Sequence, residues 1–347
     1  MNVSLGQVAI AVLGVLHAAA AYCYFSKERF APAWALGWLL LTIVALVALP
    51  AQPFAAAAGF GLALAAWTLW WVTIRPLASR TWVPDNAHQA TGTIVGEQLA
   101  IHHRRNFTWR TKTDFTATWD DAVYSLGRLD AVDLFVSSWG DPRIAHLIVS
   151  FVFRDGETLA FSIETRREIT EKWSGLAGFM KSYELIIIAA PESDLVRVRT
   201  NIRHETVHRY RLVSTPMMRR RLLNRYLRQM NRLARRPRFY NTLFGNCTTE
   251  VARILSAAGR PVPFAWPLIV SGYAPEYFHR IGLIDPARPF AEHRAEGDIG
   301  ERARAEPSDV PYSRRIRQRA PGTARARLAP AVAVSDAGAS SPEGSEG

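Results

Sequence analysis

The segment 239–255, FYNTLFGNCTTEVARIL, places Cys247 directly ahead of an apolar, helix-periodic run. Asn246 is a natural N-cap, which puts Cys247 at the first position of a helix that runs to Gly259 and stops before Pro261. Free amide groups and the helix dipole at such a place favour a thiolate. The same amides can hold the oxyanion that forms when an acyl carbonyl is attacked. The chemistry indicated is covalent acyl transfer through sulfur; the competing role is a small buried side chain, common for free cysteine. Cys23 lies in an apolar N-terminal run, so Cys247 has no soluble partner to bridge, and cysteine usage does not fix the compartment.

A thiol nucleophile works best beside an imidazole that a third group orients. Of the 9 histidines, His17 sits in an apolar run, and His88, His102, His103, His279 and His293 have polar or loop-like surroundings. His146 differs, because it opens an otherwise apolar strand, IAHLIVSF. A ring there needs a partner, either as a satisfied core histidine or as a catalytic base. In the next strand, FSIETR, the two-residue period sets Ser162, Glu164 and Arg166 on one face. Register then decides the pairing. A two-residue turn at Asp155 and Gly156 sets Thr165 opposite His146, whereas a loop of three or five residues sets Glu164 there. The candidate catalytic set is Cys247, His146 and Glu164, with Tyr240, Asn246, Ser162 and Arg166 as further candidates for contact with substrate or oxyanion. HETVH, residues 204–208, matches a zinc-protease string, but its surroundings alternate like strands and the string needs a helix to bring both rings to one metal. No metal and no cofactor is expected.

These groups need elements to hold them. VDLFVSSW, AHLIVSFVF, ETLAFSIETRRE and YELIIIAA read as short strands separated by turn signals, and AHLIVSFVF, apolar on both faces, as a central one. From 216 to 236 the pattern turns helical, with Leu222, Leu223, Tyr226, Met230 and Leu233 on one stripe. Residues 79–120 read as a linker with a small hairpin. From 287 to 347 the chain is basic and then low in complexity, which predicts a disordered tail.

The N-terminus differs in kind. Residues 3–25, 33–49 and 54–74 carry no Asp, Glu, Lys or Arg, and each approaches the ~20 residues that span a bilayer core. Residues 1–78 therefore read as three transmembrane helices, with Trp67, Trp70, Trp71 and Trp82 suited to an interfacial belt. Buried helices of a soluble core are the alternative, but such helices rarely stay uncharged all round. Lys27 and Arg29 in the first connection, against none in the second, favour a cytoplasmic C-terminal body by charge alone. Between 219 and 238 there are nine arginines and no acid. A solvated face needs fewer. Anionic lipid head groups, close to a tethered domain, suit this helix better than nucleic acid, which is not expected as a partner.

Four blocks in order, VDLFVSSWGDPRIAHLIVSF, LAFSIETRREI, YELIIIAAPESDLVRVRTN and RFYNTLFGNCTT, give residues 80–260 a resemblance to the bacterial Lnb N-terminal periplasmic domain family. That resemblance implies an α+β fold in which N-terminal transmembrane helices precede a circularly permuted papain-like domain, residues 121–286, with an antiparallel sheet and a cysteine-bearing helix. It implies catalytic roles for His146 and Cys247, with the base ahead of the nucleophile in the chain. It also implies an inner-membrane, multi-pass protein with a periplasmic domain, against the charge count. The activity implied is that of a cysteine acyltransferase or hydrolase, with membrane lipid as a partner and lipoprotein N-acylation as one possible reaction. A cell-wall peptidase or amidase and a noncatalytic lipid-binding scaffold are the alternatives. Gly245 stands where such a domain is expected to carry a polar residue.

Overall fold

The computed structural model describes residues 4–25, 30–171, 173–175, 177–305 and 309–318. Three uncharged helices come first: α1 (Leu5–Tyr24), α2 (Ala31–Ala48) and α3 (Pro53–Thr73). All three are long and apolar enough to cross a membrane, and at most 28% of any one is buried. Helices of a soluble core would hide far more of such a surface. Residues 26–29, which hold Lys27 and Arg29 of the first connection, lie outside the described residues. The aromatic cluster at the helix ends contains Tyr24, Trp34, Trp67, Trp70 and Trp71. Trp82 is not part of it, being buried with the Arg166 guanidinium 4.3 Å from its ring.

Residues 79–120 do more than link. β1 (Thr91–Val95), β2 (Gln98–Arg105) and β5 (Trp119–Ser125) form an antiparallel sheet, and β3 (Thr108–Trp109) pairs β4 (Phe115–Thr116). Leu99, Ile101 and Tyr124 join the main core. Buried Asp194 accepts hydrogen bonds from Arg105, the Phe107 amide and the Trp109 indole, which fixes the segment to the body.

The body is an antiparallel sheet in the order β10 (Thr206–Arg211), β6 (Leu129–Ser138), β7 (Ala145–Phe153), β8 (Thr158–Arg166), β9 (Glu184–Ala190). The strands are apolar on both sides because both sides are covered. On one face Leu147, Val149, Phe151, Phe161 and Ile163 meet Leu223, Tyr226 and Met230 of α5 (Pro216–Arg235) and Val251 and Leu255 of α6 (Cys247–Ala257). The apolar stripe of α5 is thus consumed by the protein core, and only its arginine side faces outward.

The other face carries Phe135, Ile148, Ala160 and Ile186. α4 (Glu192–Leu195), a short π-helical turn at Val198–Ile202, α9 (Gly300–Arg304) and α10 (Tyr312–Arg315) cover it. The stretch 194–202, part of the 194–213 segment expected as alternating strands, is therefore largely helical. α7 (Ala274–Arg280) and α8 (Phe290–Gly297) complete the chain's helices among the described residues. Disorder from residue 287 onward is overturned for residues 287–305 and 309–318, where Ile299, Ala303, Tyr312 and Ile316 are buried against the sheet; residues 306–308 lie outside the described residues. Arg317 reaches buried Asp133 at 2.8 Å and buried Glu192 at 2.5 Å. Residues 319–347, the remainder of the expected tail, lie outside the described residues.

Candidate active site

The start of α6 is built as its sequence requires. The Asn246 side-chain oxygen accepts from the Thr249 amide at 2.8 Å, and the Thr249 hydroxyl accepts from the Asn246 amide at 3.1 Å, a reciprocal cap. Ahead of it a tight loop closes through Gly245 N–H to Asn241 O at 2.9 Å, while the Asn241 side chain accepts from the amides of Leu243 and Phe244. Gly245 thus has a turn to make rather than a substrate to touch. The cap leaves the amides of Cys247 and Thr248 without a backbone acceptor among the described residues, and the Thr248 amide faces the Cys247 sulfur.

Burial nevertheless pushes the Cys247 thiol up from its ordinary pKa, and the amides of Leu147 and Thr248, the Thr248 hydroxyl and the Arg199 charge offset this only in part. The expectation of a resting thiolate is therefore corrected. Desolvation of a residue only 8% exposed outweighs the helix-end field.

β7 and β8 supply the other half. Their connection is Arg154–Asp155–Gly156, closed by Gly156 N–H to Phe153 O, with Gly156 at φ +91° where a side chain would be strained. The ladder runs from Val152↔Thr158 to Ile148↔Ser162 and, continued, sets His146 opposite Glu164. This is the three-residue alternative. Ser162 is the partner at 2.6 Å from His146 Nε2, and its hydroxyl donates to Glu164 at 2.7 Å. A hydroxyl has one proton to give, so with that proton on the carboxylate its oxygen accepts from Nε2–H. Nδ1 is then the unprotonated ring nitrogen. Burial, then the Arg199 charge, push His146 down to about 3, against the pull of Glu164. Burial opposes charge on Glu164, yet Arg199, His146 and Arg105 hold its carboxyl well below the usual range.

By alternation His146 belongs to the face of Ile148, whereas Cys247 packs in the core of the opposite face. No hydrogen bond joins the two among the described residues. They meet at a notch: the β7–β8 ladder stops before His146 and Glu164, and the Leu147 amide, part of the peptide group that follows His146, points to the Cys247 sulfur. Both residues line one cavity of about 520 Å³, together with Glu164, Tyr240, Thr248 and Arg199.

The remaining candidates divide. Tyr240 lines the cavity. Asn246 does too, but both ends of its amide are used, by Thr249 and by donation to Thr242 O at 2.7 Å. Ser162 is fully buried between ring and carboxylate and cannot reach a substrate. Arg166 does not line the cavity; it donates to the carbonyls of Asn86 and Ala87. Sequence reasoning missed Arg199, which bonds Glu164 at 3.2 Å and Glu205 at 3.3 Å, and Ser137, whose hydroxyl donates to Glu205. Alternation read through 194–213 concealed the helical turn that carries Arg199. The HETVH string is on β10 and the turn before it, with its glutamate buried against Ser137 and Arg199, so no helical turn brings its rings together.

Residues 115–272 match the model of the Lnb N-terminal periplasmic domain family. No curated protein and no solved structure matches the chain.

Proposed function

We propose that the chain carries an Lnb-type periplasmic domain and is a membrane-tethered thiol acyltransferase or hydrolase with a permuted papain-like arrangement, its histidine strand first and its cysteine helix last. One observation carries the reading: the Cys247 sulfur lies against the peptide group that follows His146, in a cavity that both residues line. His146 Nδ1 takes the thiol proton as sulfur attacks an ester or amide carbonyl. The bond to the leaving group breaks, and that group departs with the proton from His146. The resulting thioester passes its acyl group to an amine or to water. Because the thiol pKa is raised and the imidazole's lowered, the neutral pair rests and the proton moves with attack. The free Cys247 amide is placed to hold the oxyanion. Ser162 and Glu164 fix the ring's tautomer, and Arg199 keeps Glu164 ionised.

The membrane reading completes the proposal. α1–α3 cross the bacterial inner membrane as three spans and hold the domain on its periplasmic side. The acyl donor is lipid-borne and the acceptor a lipoprotein amine, with the outward arginines at the C-terminal end of α5 meeting anionic head groups. A tether suits this, because it confines enzyme and substrate to one surface. The test is lipoprotein N-acylation by membranes that contain the protein. Activity that depends on Cys247 is expected; full activity in Cys247→Ala overturns the reading.

A further inference from the structure

The cavity does not open onto ordinary protein surface. Trp173 is 61% exposed and Phe244 65%, and Ile169, Trp139, Ile144 and Ile269 are exposed as well. Trp139, Ile144, Trp173 and Ile269 line the cavity itself. Large apolar side chains gathered around one opening call for a partner.

The wall on one side of that opening is bound to the ends of the apolar helices. Cys23, at the end of α1, packs with Ala177, Tyr183, Met180 and the cavity residue Tyr240. Ser182 donates to Cys23 O at 3.4 Å, and Lys181 to Trp71 O at the end of α3 at 2.7 Å. Thr242, two residues from Phe244, donates through its amide to Gly178 O, and Ile169 through its amide to Thr81 O, in the segment that follows α3. Ile169, Trp173 and Phe244 therefore stand where the helices leave the bilayer, the level that tryptophan and its flanking cations favour.

We propose that the rim formed by Trp139, Ile144, Ile169, Trp173, Phe244 and Ile269 is seated in the head-group and upper acyl layer of the bilayer that α1–α3 cross, so that the cavity opens onto lipid rather than onto water. The occupant follows from continuity: a rim joined to membrane-crossing helices cannot turn toward a soluble partner without leaving its anchor. The inference rests on the membrane reading of α1–α3, and its test is independent of whether Cys247 reacts.

The full chain, with Cys23→Ala and Cys247→Ser, carries a single bimane at Trp173→Cys, Phe244→Cys, Val95→Cys or Val44→Cys in phosphatidylethanolamine–phosphatidylglycerol bilayers. Half of the samples contain a shallow doxyl lipid. Val95 is an exposed hairpin-tip residue beside Glu97, which pairs with Arg220 near the start of α5, a helix length from the 235–240 end. Val44 is an outward side chain of α2. The expected result is quenching of about two-fold or more at 173 and 244 and little at 95. Quenching at 44 with none at 173 and 244 above that at 95 overturns the seated rim. No quenching at 44 overturns the membrane reading beneath it, and the rim with it.

Discussion

Two clusters of buried charge lie on the same face of the main sheet. One, Asp133, Glu192 and Arg317 with Arg209 and Ser150, is sealed beneath α10. The other, Glu164, Glu205 and Arg199 with Ser137, Ser162 and His146, opens into the cavity where Cys247 lies. Both pair carboxylates with guanidinium and satisfy spare oxygens with serine hydroxyls, so charge burial alone does not mark a site. The difference is an imidazole that lines one cavity with a thiol. The sealed cluster fastens the chain's C-terminal part to the sheet; the open one holds a proton acceptor in one tautomer.

The comparison is broken most severely by Cys247→Ala. Acyl transfer should fall about a thousandfold or more, while stability moves by only about 1 kcal/mol. Equal losses of fold and activity would make the thiol a packing residue. Arg317→Ala should do the reverse. It leaves Asp133 and Glu192 underpaired and should cost about 3 kcal/mol in denaturant unfolding, with the rate at Cys247 unchanged where the protein stays folded. A rate loss there without a stability loss would erase the distinction between the clusters.

A subtler change sharpens it. In Glu164→Gln the amide can donate to Ser162, reverse the hydroxyl and place the ring proton on Nδ1. Acyl transfer should fall about 10- to 100-fold with no change in thiol burial, read as kcat against reagent access. The smallest effect at neutral pH is on stability, and it grows as pH falls. His146 has a folded pKa pushed from 6.5 down to about 3, so between those values the unfolded chain binds a proton that the folded one refuses. Its contribution is lost as pH falls through that window, by up to about 1.4 kcal/mol per pH unit. His146→Asn should remove that slope; an unchanged slope would show the ring to be solvated.

Legibility followed locality. The cap at Asn246, the apolar stripe of α5 and the uncharged runs of α1–α3 are properties of neighbouring residues, and all could be read from the chain. Residues 79–120 hid their sheet because the strands are short and keep charged residues on their outer side. Residues 290–305 and 309–317 hid their packing on the sheet because Ile299, Ala303, Tyr312 and Ile316 are scattered through arginine and alanine, and because Arg317 finds its carboxylates more than a hundred residues away. The direction of the thiol's pKa was unreadable for the same reason. A helix start favours the thiolate, but the packing that desolvates it is tertiary.

The central claim is that Cys247 and His146 act as a pair although they come from opposite faces of one sheet. Intact-protein mass spectrometry after brief exposure to an activated acyl ester tests it directly, in the parent chain, Cys247→Ser and His146→Ala. A single acyl adduct in the parent, none in Cys247→Ser and an adduct formed about 100-fold more slowly in His146→Ala is the predicted result. An adduct formed equally fast without His146, or no adduct on the parent, would contradict it.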